Sequence, residues 1–242
     1  MADGFPAARA HGPFETPFDD VFMVRGTSHF APLLHITRNM IVLRQGDDLT
    51  LLNSVRLSDV GERDLERLGT VRHLVKLGHF HGMDDAYYAK RYAPVVWATS
   101  DATHARGVTT ARRLTPGESG PVADMRVFTF ERATRPEACI VLGREGGILV
   151  TCDSVQNWGA FEGCSGAAKV VLRALGFAGE ARIGPGWRRF AEPRDGGGLG
   201  DDFRRLLTLP FRHLVPAHGH VLRDRAKEAL AARVAESYPR RS

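Results

Sequence analysis

The sequence predicts an α+β domain in which strands and helices are mixed and consecutive strands pair. Three observations carry that reading. Met40–Arg44 and Leu49–Val55 are short apolar runs separated by Gln-Gly-Asp-Asp, the spacing of a hairpin. Residues 126–130, 138–143 and 147–152 are three further strand-like runs, the last two joined by a turn containing Arg-Glu-Gly. Ser165–Leu175 then places Ala167, Val170, Val171, Ala174 and Leu175 on one helical face, between a capping serine and the terminating Gly176.

The remaining elements follow in order. Residues 1–20, rich in Pro, Gly and Ala, are expected to form an N-terminal arm or tail, and residues 21–242 a single large domain. Residues 58–68 read as a helix, with Ser58 or Asp59 at its start and Gly69 beyond its end. Residues 72–77 read as a strand, 84–92 as a helix and 94–97 as another strand. The stretch 98–122 carries loop signals. Gly196-Gly-Gly198 is expected to be a loop without the spacing of a phosphate cradle. Residues 201–207 suggest a helix, 211–216 a short strand and 224–236 a closing amphipathic helix.

Composition excludes several classes. The 242 residues are 43% hydrophobic, enough to bury a sizeable core. The net charge of +5 is spread along the chain without a run of five or six like charges, so no nucleic-acid partner is expected. Three cysteines, 139, 152 and 164, are too few for a disulfide framework and point to a reducing, cytoplasmic setting. No apolar stretch approaches the roughly 18 residues of a membrane span, and none resembles a signal peptide.

The candidate chemistry gathers at three strand ends. The first is Val71-Arg-His-Leu-Val-Lys-Leu-Gly-His-Phe-His-Gly-Met-Asp-Asp85, where His79, His81, Asp84 and Asp85 follow an apolar run. Histidines one residue apart on a strand point the same way, and paired imidazoles with a carboxylate suit zinc, or alternatively iron or manganese. The second is Gly147-Ile-Leu-Val-Thr-Cys-Asp153, an apolar strand running into a carboxylate that needs a partner or a cation. The third is Arg212-His-Leu-Val-Pro-Ala-His-Gly-His220, which delivers His218 before a glycine. Cys152 reads as a small core residue, and Trp97, Trp158 and Trp187 as core aromatics that could line a pocket.

With those motifs in this order, residues 20–237 resemble the metallo-β-lactamase fold superfamily, in particular its single-domain lactamase-like proteins. The resemblance implies an αβ/βα sandwich: two mixed sheets face to face, with helices on the outer faces. It implies a site for one or two divalent ions at the sheet edge. Matched position by position, His79 and His81 are the leading histidines of its H-x-H-x-D-H motif, Asp153 the bridging aspartate and His218 the last histidine. The chain departs from the motif at Met83, with Asp84 one residue late and Asp85 where a histidine would stand. The family's middle histidine also has no counterpart, and Glu131 or Glu137 is the available oxygen donor.

Two functions are therefore expected. The first is a metal-dependent hydrolase of a small ester, lactone, thioester or similar substrate. There His79, His81, Asp84, Asp153 and His218 hold the ion, and Asp84 orients or deprotonates the attacking water. The second is a lactamase-fold protein whose altered site binds a ligand or partner without turnover.

Overall fold

The computed structural model describes residues 4–99, 102–104, 107–118, 120–194 and 198–239. Two of the three residues of Gly196-Gly-Gly198 lie outside that set. The first sheet has seven strands in sequence order: β1 (His11–Phe18), β2 (Val21–Ala31), β3 (Leu34–Gln45), β4 (Asp48–Leu52), β5 (Thr70–Lys76), β6 (Val95–Ala98) and β7 (Arg112–Arg113). It is antiparallel from β1 to β4 and parallel from β4 to β7. The switch occurs because α1 (Asp59–Leu68) and α2 (Asp85–Tyr92) supply the crossovers that parallel neighbours need.

The second sheet runs β13–β10–β9–β8, from β8 (Met125–Thr129), β9 (Ala138–Leu142), β10 (Ile148–Thr151) and β13 (His213–Pro216). Its strands β10 and β13 are parallel, while β9 is antiparallel to both β8 and β10. A small ribbon, β11 (Val155–Trp158) with β12 (Gly179–Ile183), follows. Four more helices are α3 (Gly166–Ala174), α4 (Pro185–Ala191), α5 (Gly200–Leu206) and α6 (Ala226–Ser237).

Strand alternation builds three packed layers. Ile41, Leu43, Val75, Ile140, Val150 and Val215 meet between the two sheets. Their neighbours point outward: Met40, Val42 and Leu74 pack with Leu65 and Tyr88 of α1 and α2. On the other side, Val141, Leu149 and Leu214 pack with Phe203 of α5 and Leu230 of α6. Both faces are buried at the central strands, which is why β9 and β10 read as near-continuous apolar runs. The αβ/βα sandwich implied by the resemblance is the observed architecture.

Differences from the sequence reading have local causes. Within the stretch expected as an arm or tail, residues 11–18 pair with β2 as the edge strand β1. Its His-Gly-Pro-Phe-Glu-Thr-Pro-Phe sequence lacks alternation because most of its side chains stay at least partly open, and proline is tolerated at an edge. Strand β3 reaches back to Leu34 through buried Thr37, Arg38 and Asn39, polar residues that mask its strand pattern. On α3 the expected apolar face is not the buried one. Ala168 and Leu172 face the core, while Val170, Val171 and Leu175 are exposed.

One half-buried ion pair ties the turn between β9 and β10 to the residue before β8. Arg144 Nε and Nη2 donate to Asp124 Oδ2 and Oδ1 at 2.9 and 2.7 Å, and its backbone N–H also donates to Oδ2. These bonds hold the Asp124 carboxyl below the usual range. A lowered carboxyl contributes stability above its unfolded pKa of about 3.9, and loses it as pH falls through the folded value. Asp124→Asn is therefore expected to cost about 0.5–1 kcal/mol at pH 7 in urea denaturation, with the difference shrinking below about pH 4. Among the described residues no helix is long and apolar enough to cross a membrane.

Candidate metal centre

Strands β10 and β13 run parallel, with Thr151 opposite Pro216. Two residues past each strand end stand Asp153 and His218, so the register alone brings them to one edge. Asn39 fixes the turn after β13, donating from Nδ2 to the carbonyls of Pro216 and Gly219 at 2.9 Å each. Gly219 has φ +89°, and a Cβ there would lie 2.0 Å from the Asn157 carbonyl oxygen, so the bend requires glycine. His218 Nδ1 lies 2.9 Å from the Thr37 carbonyl. A carbonyl only accepts, so Nδ1 carries the proton and Nε2 of neutral His218 is a lone pair aimed at the site.

His81 comes from the other sheet, on the loop after β5. The end of β5 is tied to β9, with Ala138 N–H donating to the Leu77 carbonyl at 2.8 Å. The buried Lys76 ammonium donates to the His81 carbonyl. His81 Nε2 then sits 3.0 Å from His218 Nε2 and 3.6 Å from Asp153 Oδ2, while His218 Nε2 is 3.3 Å from Asp153 Oδ1. All three side chains are buried, and the Trp158 ring stacks on His218 at 5.7 Å between centroids.

Burial alone would raise the Asp153 carboxyl, but the two imidazoles beside it hold it well below the carboxylate range. Burial lowers His81, partly opposed by Asp153. Asp153 is thus the anion of the site, beside imidazoles of which at least His81 favours its neutral form. A second group shares it: Glu137, Cys152 and Asp153 also bring ligand atoms within 4.8 Å of one another. Glu137 Oε1 accepts from Ser154 N–H at 2.6 Å, while its buried Oε2 has no hydrogen-bond partner among the described residues. Burial first, and then the Asp153 charge, push the Glu137 carboxyl well above its ordinary value.

The structure brings together His81, Asp153 and His218 of the expected set, but neither His79 nor Asp84. Strand β5 ends at Lys76, and residues 79–80 form a turn, so the alternation that would align His79 with His81 has already stopped. The His79 ring lies edge-on to Phe80 instead, 5.0 Å away. Asp84 Oδ2 accepts from the Arg38 guanidinium and, at 2.9 Å, from Arg56 N–H. Asp85 Oδ1 accepts from Ser54 Oγ at 2.6 Å. Of the two glutamates, Glu137 reaches the site, whereas Glu131 pairs with Arg205. Cys152 lies past the end of β10, where strand alternation no longer applies, and its Sγ is 3.6 Å from Asp153 Oδ2. Arg38 was the residue missed by sequence reasoning. Its only local signal is a charged residue just before the apolar run Met40–Leu43.

No family model matches the sequence, and no curated protein matches it. Solved structures do. A metallo-β-lactamase from Erythrobacter litoralis is 14% identical, with 92% of each chain covered and a TM-score of 0.63. A metallo-β-lactamase from Pseudomonas aeruginosa, crystallised in a mono-zinc form, is also 14% identical. That match covers 97% of this chain and 99% of the other, with a TM-score of 0.63. A metallo-β-lactamase from Pontibacter korlensis is 12% identical over 91% and 97% of the two chains, again at 0.63. The chain has the metallo-β-lactamase fold.

Within the metallo-β-lactamase fold, the edge of this sandwich offers two imidazole nitrogens and one carboxylate oxygen. That donor set suits a borderline divalent ion. The His218 Nδ1–H bond to a backbone carbonyl is the outer contact that orients a ligating imidazole. The residues present therefore fit a metal.

Proposed function

We propose that this chain is a metal-dependent hydrolase of a small uncharged acyl substrate such as an ester, lactone or thioester, with zinc, iron or manganese as cofactor. The observation that supports this most is the convergence of His81, His218 and Asp153 at a buried edge that opens into a cavity. His81 and His218 would hold the ion through Nε2, and Asp153 through a carboxylate oxygen. A divalent ion bound there supplies Lewis-acid polarisation and acidifies water toward neutral pH. In the net reaction one O–H bond of water and the acyl C–O or C–S bond break. A new acyl C–O bond forms, and the proton leaves on the alcohol or thiol.

The chain's own residues divide the remaining work. Trp158, stacked on His218, and the apolar walls limit water at the site. Arg38 lines the cavity floor, and its guanidinium is engaged there with Asp84 and the Ser54 carbonyl. Asp84 is neutralised by Arg38 and does not serve as a free base. That last observation also favours a second reading, a lactamase-fold module that binds a ligand without turnover.

Metal analysis separates the two. The purified chain is expected to carry about one or more equivalents of zinc, iron or manganese. Chelation is expected to abolish hydrolysis of aryl acetate esters, and added metal to restore it. A protein that neither carries nor takes up metal is not this hydrolase. One that binds metal yet turns over none of a panel of esters, lactones and thioesters supports the binding module.

A further inference from the structure

The site forms the floor of one cavity of about 500 Å³, and that cavity is almost entirely apolar above the floor. Its walls come from three directions: Phe30, Leu34 and Ile36 of the β2–β3 hairpin, Leu172 and Val171 of α3, and Trp187 of α4. The charged residues lining it are confined to the floor, where Arg38 is paired with Asp84 and Asp153 lies between His81 and His218. No unpaired charge is left along the walls to receive a carboxylate or phosphate.

The mouth is unusual in the same direction. Phe30, Met83, Leu175 and Phe190 are 69%, 55%, 60% and 54% exposed, and all four line this single opening. Scattered exposed apolar residues need no explanation, but four that line the same cavity do. Helix α3 supplies much of it. Val171 and Leu175, one turn apart, line the cavity with Leu172, while Val170 on the same helix does not. Neither arginine of α4 lines the cavity, and Arg188 pairs with Glu192 and lies over the Tyr238 ring.

We infer that the substrate of this site is an amphiphile, with an uncharged, flexible acyl chain held by the cavity walls and its hydrolysable carbonyl at the His81–Asp153–His218 floor. This rests on the hydrolase reading above, and it adds the chain as the element the enzyme selects. Specificity would come from length and not from charge, because only the walls distinguish one such substrate from another. Each buried methylene contributes about 0.8 kcal/mol, a step of about four-fold in affinity.

The test uses the full chain stripped of metal and titrated with n-alkanols from butanol to decanol, following emission from Trp158 and Trp187, which line the cavity. The dissociation constant is expected to fall about four-fold per methylene over at least four members of the series. Val171→Asp is expected to weaken decanol binding at least ten-fold, while Val170→Asp, outside the cavity lining, leaves it unchanged. Leu172→Trp is expected to flatten the series beyond its shortest members, and the exposed Val171 variant keeps the test valid if Leu172→Trp fails to fold. Absence of chain-length dependence overturns the inference. So do equal effects of the two aspartate variants, or a wild-type dimer that Val171→Asp dissociates, since the mouth would then be a contact between copies. Chain-length-dependent binding without ester turnover by the metal-loaded protein removes the hydrolase reading alone. Turnover of acetate esters with no preference for longer chains removes this inference alone.

Discussion

Asp153→Asn is expected to lower metal affinity at least 100-fold and to reduce hydrolysis by at least 10³-fold. Loss of an outer-shell partner typically weakens a metal site 10–100-fold, and Asp153 would be a ligand itself. Its carboxylate is also the anionic member of the central triad, shared with the group formed by Glu137 and Cys152. Asparagine keeps the shape but removes the charge that balances a dication in a buried setting, where unpaired charge is costly. A competition titration against a chromophoric zinc chelator measures the first effect and kcat the second. A variant that keeps wild-type affinity would remove Asp153 from the ligand set, while leaving His81 and His218 to be tested in the same assay.

The second large effect is expected on stability, at Glu137. Glu137→Ala removes the acceptor for Ser154 N–H and leaves a hole at a position only 1% exposed. An orphaned buried donor costs about 1–3 kcal/mol and the cavity adds to it, so a loss of about 3 kcal/mol or more is expected. Glu137→Gln is expected to cost less than about 1 kcal/mol, because its amide oxygen still accepts from Ser154 and the burial that raises the carboxyl favours an uncharged group there. The sign of the pH dependence follows from that raised value. The wild-type contribution is fully present below the unfolded pKa of about 4.3 and is lost as pH rises through the folded value. The glutamine variant should therefore gain on wild type between about pH 4 and the folded value in urea denaturation of metal-free protein. A glutamine variant as damaged as the alanine one, or a difference independent of pH, would mean that Glu137 is ionised when folded.

Much of the fold was legible because burial on both faces leaves an unmistakable trace. Strands β9 and β10 are near-continuous apolar runs, and α1 and α3 begin at serines that do cap them. Ser58 Oγ accepts from Gly61 N–H and Ser165 Oγ from Ala168 N–H, each at 3.3 Å. Strands β1, β11 and β12 were not legible. Gln156 and Asn157 interrupt β11 with polar side chains whose partners, Trp158 and the backbone of His220 and Ala181, are supplied by the fold. Helix α4 did carry a start signal, Pro185 at its first turn, and it went unread.

The site divides along the same line. Asp153 and His218 follow apolar strands directly, so their placement at a sheet edge could be read from local order. His79 depended on where β5 stops, and a boundary one residue earlier than expected turned it away. The pairing of Arg38 with Asp84 spans 46 positions and has no local signature. The apolar stripe on α3 was visible, but its role as a cavity wall came only from what stands opposite it.

The three central side chains do not come from one half of the molecule. Asp153 and His218 leave neighbouring strands of the four-stranded sheet, whereas His81 leaves the seven-stranded one. A ligand that grips all three recognises only the docked sandwich and has nothing to hold when the halves part. Occupancy and docking are then a single linked equilibrium, in which bound ligand deepens the native well by RT ln(1 + [L]/Kd). A centre built in this way would act as a rivet through the two layers, and its occupancy would report on whether the molecule is assembled.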